Sequence, residues 1–233
     1  MCKAIPVTGE KYVNAKAKER GGLNAFTWAV QEGRLTTIDR LLGLPEDRRP
    51  DVDSRTGKVG HTCFTGACVR GDEDVVKRLV QQPQEIIDVN KTNNFGSTGF
   101  LLACRLGKIS IIDILLELPK ERLDVNLKNK QGMSGYMYAC YNGHLQVVQK
   151  LLDTPNDRID IGAKFGGRTG LDLAESEGHA EVAEAIRQHD QKKIIHTLLR
   201  RGCLSDDNTV LFFSPRSMYT EPVRECYDET TKI

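Results

Sequence analysis

Apolar residues return along this chain in pairs at a nearly fixed interval. Leu41-Leu42, Leu79-Val80, Leu115-Leu116 and Leu151-Leu152 stand in one phase, and Ala185-Ile186 continues it. Ahead of each pair the apolar positions keep helical spacing, as in Ile109, Ile111, Ile112, Leu115 and Leu116, which predicts a helix with one buried stripe. Pro45, Pro83, Pro119 and Pro155 come next, and each should stop its helix nearby, because proline cannot continue a helix interior. Asp51-Val52-Asp53, Asp88-Val89-Asn90, Asp124-Val125-Asn126 and Asp160-Ile161-Gly162 follow. With the Asn-, Lys- and Gly-rich residues behind them, they predict extended, hairpin-like loops.

The same phase governs the polar and small residues. Gly33, Gly71, Gly107, Gly143 and Gly178 are separated by 38, 36, 36 and 35 residues. Four residues before each stands an alanine: Ala29, Ala67, Ala103, Ala139 and Ala174. Gly60-His61-Thr62, Gly96-Ser97-Thr98, Gly132-Met133-Ser134 and Gly167-Arg168-Thr169 lie upstream of these alanines. Thr62, Thr98, Ser134 and Thr169 are placed to accept hydrogen bonds from the open amides of a first helix. The turn glycine would end that helix in a left-handed conformation. The alanines, and Cys68, Cys104 and Cys140 beside them, are small enough to let helices approach closely. A loop followed by two antiparallel helices is therefore repeated about five times.

This unit resembles the ankyrin repeat, over about residues 23–189. The resemblance implies an all-α solenoid of stacked helix-turn-helix units with hairpin-like loops. Two departures stand out. The period is about three residues longer than the usual ~33, with the extra length in stretches such as Leu118-Pro119-Lys120-Glu121-Arg122-Leu123. The family's proline after the capping threonine is replaced by Cys63, Gly99, Gly135 and Gly170, and its histidine by Thr65, Leu101, Met137 and Asp172. Glycine lacks proline's preorganisation, so these repeats should be less stable than consensus ones. Residues 1–22 read as a Lys-rich arm. The first unit has Asn24 at the cap position and the single tryptophan, Trp28. A separate capping helix is expected over 190–203, from Ile194-Ile195 and Leu198-Leu199. The remaining 204–233 form a mostly polar tail, either disordered or folded back on the array.

Composition narrows the function classes. Thirty-three basic residues balance 32 acidic ones at a net charge of +1, and 39% of residues are hydrophobic. Such a chain is expected to be globular, with no overall field to attract nucleic acid and no run long enough to span a membrane. Cys68, Cys104 and Cys140, each 36 residues from the next, mark a repeat position and not a disulfide pattern. Free thiols point to a reducing compartment, the cytoplasm or the nucleus. His144 and His179 follow turn glycines in a structural slot, and His61 has no nucleophile placed beside it. No enzyme activity, metal or cofactor is expected.

Binding through a concave face is what the resemblance implies. The expected partner is another protein, with no nucleic acid and no membrane, and the chain is expected to be a monomer acting as an adaptor, scaffold or inhibitor. Loop tips would contribute Lys58, Asn94, Phe95, Lys130, Met133, Phe165 and Arg168. Exposed ends of the first helices would contribute Arg70, Arg105, Leu106, Tyr141 and Asn142. An alternative gives the tail, with Val210-Leu211-Phe212-Phe213 beside Ser214, a second partner or a phosphorylation site. A nucleic-acid-associated regulator is a more distant alternative. The resemblance also marks Asn90 and Asn126 as candidate sites of asparaginyl hydroxylation.

Overall fold

The structure is a computed structural model that describes residues 22–155 and 158–200. Ten α-helices occur among them: α1 Ala25–Gln31, α2 Leu35–Leu42, α3 Cys63–Arg70, α4 Glu73–Val80, α5 Gly99–Arg105, α6 Ile109–Leu116, α7 Gly135–Tyr141, α8 Leu145–Leu152, α9 Gly170–Ser176 and α10 Ala180–Arg200. They pair in chain order. Within the unit ending at Arg187, α1, α3, α5, α7 and α9 stack side by side as one layer, and α2, α4, α6 and α8 form the second. This is the expected all-α array of helix pairs.

Local chemistry sets each start and stop. The amides at the third helical position donate to Thr62, Thr98, Ser134 and Thr169, at 3.1, 3.2, 3.4 and 3.3 Å. In the first unit Asn24 takes this role, accepting from Thr27 N at 2.8 Å and completing a capping box. Gly71 and its four counterparts hold φ between 65° and 78°, which reverses the chain within one residue. One boundary departs from expectation. α10 runs unbroken through 190–200, so no separate capping helix begins there. Neither glycine nor proline occurs between Ala180 and Arg200 to interrupt it. Residues 188–200 belong to a second unit, in which Ile194 and Ile195 are exposed.

What joins one repeat to the next is a seam at the first residue of each first helix. Gly99 lies so close to the preceding repeat that an added Cβ would stand 2.8 Å from both Cys68 Sγ and Phe64 Cε1. At Gly135 the same atom would meet Cys104 Sγ at 3.0 Å and Phe100 Cε1 at 3.1 Å, and at Gly170 it would meet Tyr136 Cε1 at 2.6 Å and Cys140 Sγ at 3.0 Å. Ring and thiol of one repeat thus occupy the volume that a side chain at this position would need. The five alanines are fully buried beside this seam.

Polar bonds knit the repeats at two further levels. Asn90 Nδ2 donates to Arg122 O at 2.9 Å while its Oδ1 accepts from Asp124 N at 3.0 Å. Asn126 repeats the pattern with Arg158 O and Asp160 N, each at 2.9 Å. At the turns, Nε2 of His144 and of His179 lies 2.9 and 3.0 Å from the carbonyls of Arg105 and Tyr141, which fits the structural role expected of both.

Alanine normally favours a helix over glycine, yet Gly99→Ala should lower the unfolding free energy by about 1–3 kcal/mol, because it overfills the seam. Urea unfolding should show the loss, and adding Cys68→Ala should recover part of it. A stabilised Gly99→Ala protein would disprove the tight seam.

Candidate functional site

Each loop that leads into a first helix folds into a narrow finger, and two different devices hold the fingers. In the first, Thr56 and His61 exchange both main-chain hydrogen bonds, at 2.9 and 3.1 Å. Phe165 and Arg168 do the same in the fourth, at 2.9 and 3.0 Å. In the second, buried Asn93 accepts from the amides of Phe95 and Ser97 at 2.9 and 3.0 Å. Asn129 holds the third through Gln131 N and Met133 N, at 3.0 and 3.1 Å. Sequence reasoning missed Asn93 and Asn129 as site organisers, although their identical phase, 36 residues apart, was a readable signal.

Adjacent fingers are bonded to one another. Asn94 N donates to Val59 O at 3.1 Å, and Lys130 N donates to Phe95 O at 3.0 Å. The first three fingers are thereby one row, not independent loops. Lys58, Asn94, Phe95, Lys130 and Arg168 are exposed on the fingers, and Arg70, Arg105, Leu106, Tyr141 and Asn142 are exposed at the far ends of α3, α5 and α7. Phe165 is half-buried.

Met133 corrects the expectation of an exposed tip. It is only 6% exposed, because the residue after the finger glycine turns under the finger, where it packs with Met137, Ala163 and Leu173. Tyr138, also missed from the sequence, borders this small cluster and links finger to helix. Its hydroxyl accepts from Asn129 Nδ2 at 3.0 Å and donates to Gln131 Oε1 at 2.9 Å. The Arg105 guanidinium lies 6.0 Å from the centre of its ring.

Some predicted contact residues also carry structural bonds. Arg70 donates to Val30 O of the preceding repeat at 2.8 Å. Asn142 donates to Tyr138 O at 2.9 Å and Arg105 O at 3.3 Å. The amides of Asn90 and Asn126 are engaged in the inter-repeat bonds described above, which by themselves account for asparagine there. Ser214 lies outside the described residues.

Reactive chemistry is muted on this face. Cys63, Cys68, Cys104 and Cys140 are buried free thiols, and burial raises all four above the ordinary thiol range, to about 12 at Cys140. Among the described residues no three His, Cys, Asp or Glu side chains cluster as metal ligands, and no helix is long and apolar enough to cross a membrane. His61, with Nδ1 3.3 Å from Thr65 Oγ1, is held below its usual value of 6.5 by burial, and further by the positive charges of Arg105 and Arg70.

Comparison with known proteins agrees with this geometry. A family model described as ankyrin repeats, in three copies, matches residues 26–127 and 100–197, which together span more than half the chain. A search of curated proteins finds no match.

A histidine with a depressed folded-state pKa binds protons less readily folded than unfolded. Its contribution is therefore constant above the unfolded value of 6.5 and turns destabilising as the pH falls below it. Urea midpoints measured down from neutral pH should fall less steeply for His61→Gln than for the parent protein. Equal slopes would show that His61 titrates alike in both states.

Proposed function

The chain belongs to the ankyrin repeat family, and from that premise we propose that it is an adaptor, scaffold or inhibitor that binds another protein through its fingers and first helices. Ankyrin repeats in general mediate protein–protein interaction, and such domains are typically non-catalytic. One observation supports this face above the others. Of the six exposed large hydrophobic residues among those described, four belong to it: Val59 and Phe95 on the fingers, Leu106 and Tyr141 at the helix ends. Exposed aromatic and arginine side chains on a rigid support are the residue types enriched at binding hot spots. Free buried thiols fit a reducing compartment, the cytoplasm or nucleus.

The test compares partners captured from cell extract by the intact protein and by an Arg105→Ala, Tyr141→Ala variant. Arg70 is left in place because its bond to Val30 O makes it part of the scaffold. Circular dichroism should show equal folding, and a specific partner should be lost by the variant; truncating either hot-spot side chain should weaken that partner about tenfold or more. A partner list unchanged between the two baits would refute this face as the binding site.

A further inference from the structure

The four fingers share a charge pattern that the rest of the array lacks. Residues 54–61, 91–97, 127–133 and 163–169 contain Arg55, Lys58, Lys91, Lys128, Lys130, Lys164 and Arg168, and no aspartate or glutamate. This bias is invisible in a chain whose net charge is only +1. On the second-helix layer, cations meet carboxylates: Arg78 with Asp39 at 3.3 Å, Lys150 with Asp113 at 2.7 Å, and Lys77 with Glu73 at 3.7 Å. On the fingers Lys91 alone has such a partner, Asp53 at 2.7 Å, while Arg55 donates to Asn94 Oδ1 at 3.3 Å. Lys58, Lys128, Lys130, Lys164 and Arg168 are exposed with no ion-pair partner among the described residues. Asp172 lies near enough to feel Lys164 and Arg168, but its carboxylate is engaged by the Thr169 amide and hydroxyl, both at 2.7 Å.

Apolar surface is interleaved with these charges. Val59, next to Lys58, is 36% exposed, and Phe95, between the neighbouring tips, is 58% exposed, the highest of any large hydrophobic residue described. The hydrogen bonds from Asn94 N to Val59 O and from Lys130 N to Phe95 O fix the order Lys58, Val59, Phe95, Lys130 along the row. A ligand meeting this row therefore finds its anchors already placed, so little ordering cost falls on this side of the interface. Two first-helix cations, Arg105 and Arg70, also lie near enough to the first finger to act on His61.

Resting on the reading that the array binds protein, we propose that the finger row docks an acidic segment of the partner in extended form, with large apolar side chains interspersed among its carboxylates. Carboxylates of the segment would pair with Lys58, Lys130 and Arg168, and an aromatic or leucine side chain would lie on Phe95 and Val59. Exposed ion pairs contribute little each, so several of them give steering and register while the apolar contact slows release.

The test is fluorescence anisotropy with the full chain and a fluorescein-labelled peptide of about 15 residues, in which Glu and Asp alternate with Phe. Controls replace every Phe by Ser, or every acid by its amide, and a uridylate oligomer of similar charge is run beside them. The acidic Phe peptide should bind, and raising the salt from about 50 to about 300 mM should weaken it about tenfold. Lys58→Glu with Lys130→Glu should weaken it by at least about tenfold, and Phe95→Ser by about threefold or more. If the double charge reversal disturbs folding, Phe95→Ser and the salt series decide. Preferential binding of the uridylate would reassign the row to nucleic acid. Absence of binding, or equal binding of the Ser control with no effect of Phe95→Ser, would overturn the proposal. A cellular partner lost through Arg105→Ala and Tyr141→Ala without any peptide binding would leave the protein-binding reading standing and refute only the acidic segment.

Discussion

Contact between a glycine, an aromatic ring and a thiol sets the distance between successive repeats. Phe64 with Cys68, Phe100 with Cys104, and Tyr136 with Cys140 each fill the space that a side chain on the next first helix would need. Close packing leaves no slack at such a point, so one methyl group there is felt in full. The seam also has defined ends. Before it, Phe26 and Val30 are buried in the corresponding positions of the first unit. After it, the thiol position is held by Glu175, exposed and ion-paired with Arg187, so the fifth unit offers no thiol to a further neighbour.

Everything on the candidate face follows from that spacing. Helices held at one separation bring their fingers near enough for the main chain of one to bond the next, as Val59 with Asn94 and Phe95 with Lys130. The asparagine bridges from Asn90 and Asn126 impose the same register at the other end of the loops. Loops are usually the most variable and mobile parts of a fold. Here hydrogen bonds between repeats turn three of them into a surface with fixed positions and tie the fourth at its base through Asn126, a condition for presenting charges and rings to a partner without a large ordering cost.

Much of this was legible in the chain. Caps at Thr62, Thr98, Ser134 and Thr169, the left-handed turn glycines and the buried alanines are local requirements that recur in every unit, so repetition amplifies them into a clear signal. The replacement of proline by glycine was visible too, but it read only as lost preorganisation, because its cause lies one repeat away, in a ring and a thiol. Met133 was misplaced for a similar reason: a finger position in one register becomes a core position when Ala163 and Leu173 of the next repeat supply a wall. Asn93, Asn129 and Tyr138 act through geometry that a period does not contain. Loss of repeat phase near 190 suggests a fresh helix start, but the helix formers continue to Arg200 and α10 runs on without a break.

The buried thiols give the array a set of internal clocks. Alkylation requires an accessible thiolate, and Cys68, Cys104 and Cys140 are fully shielded and weakly acidic in the closed structure. Each can react only when its own repeat parts from the next. Because the three sit at equivalent places in successive units, their separate labelling rates record where along the stack opening begins and how far it spreads before the chain closes again.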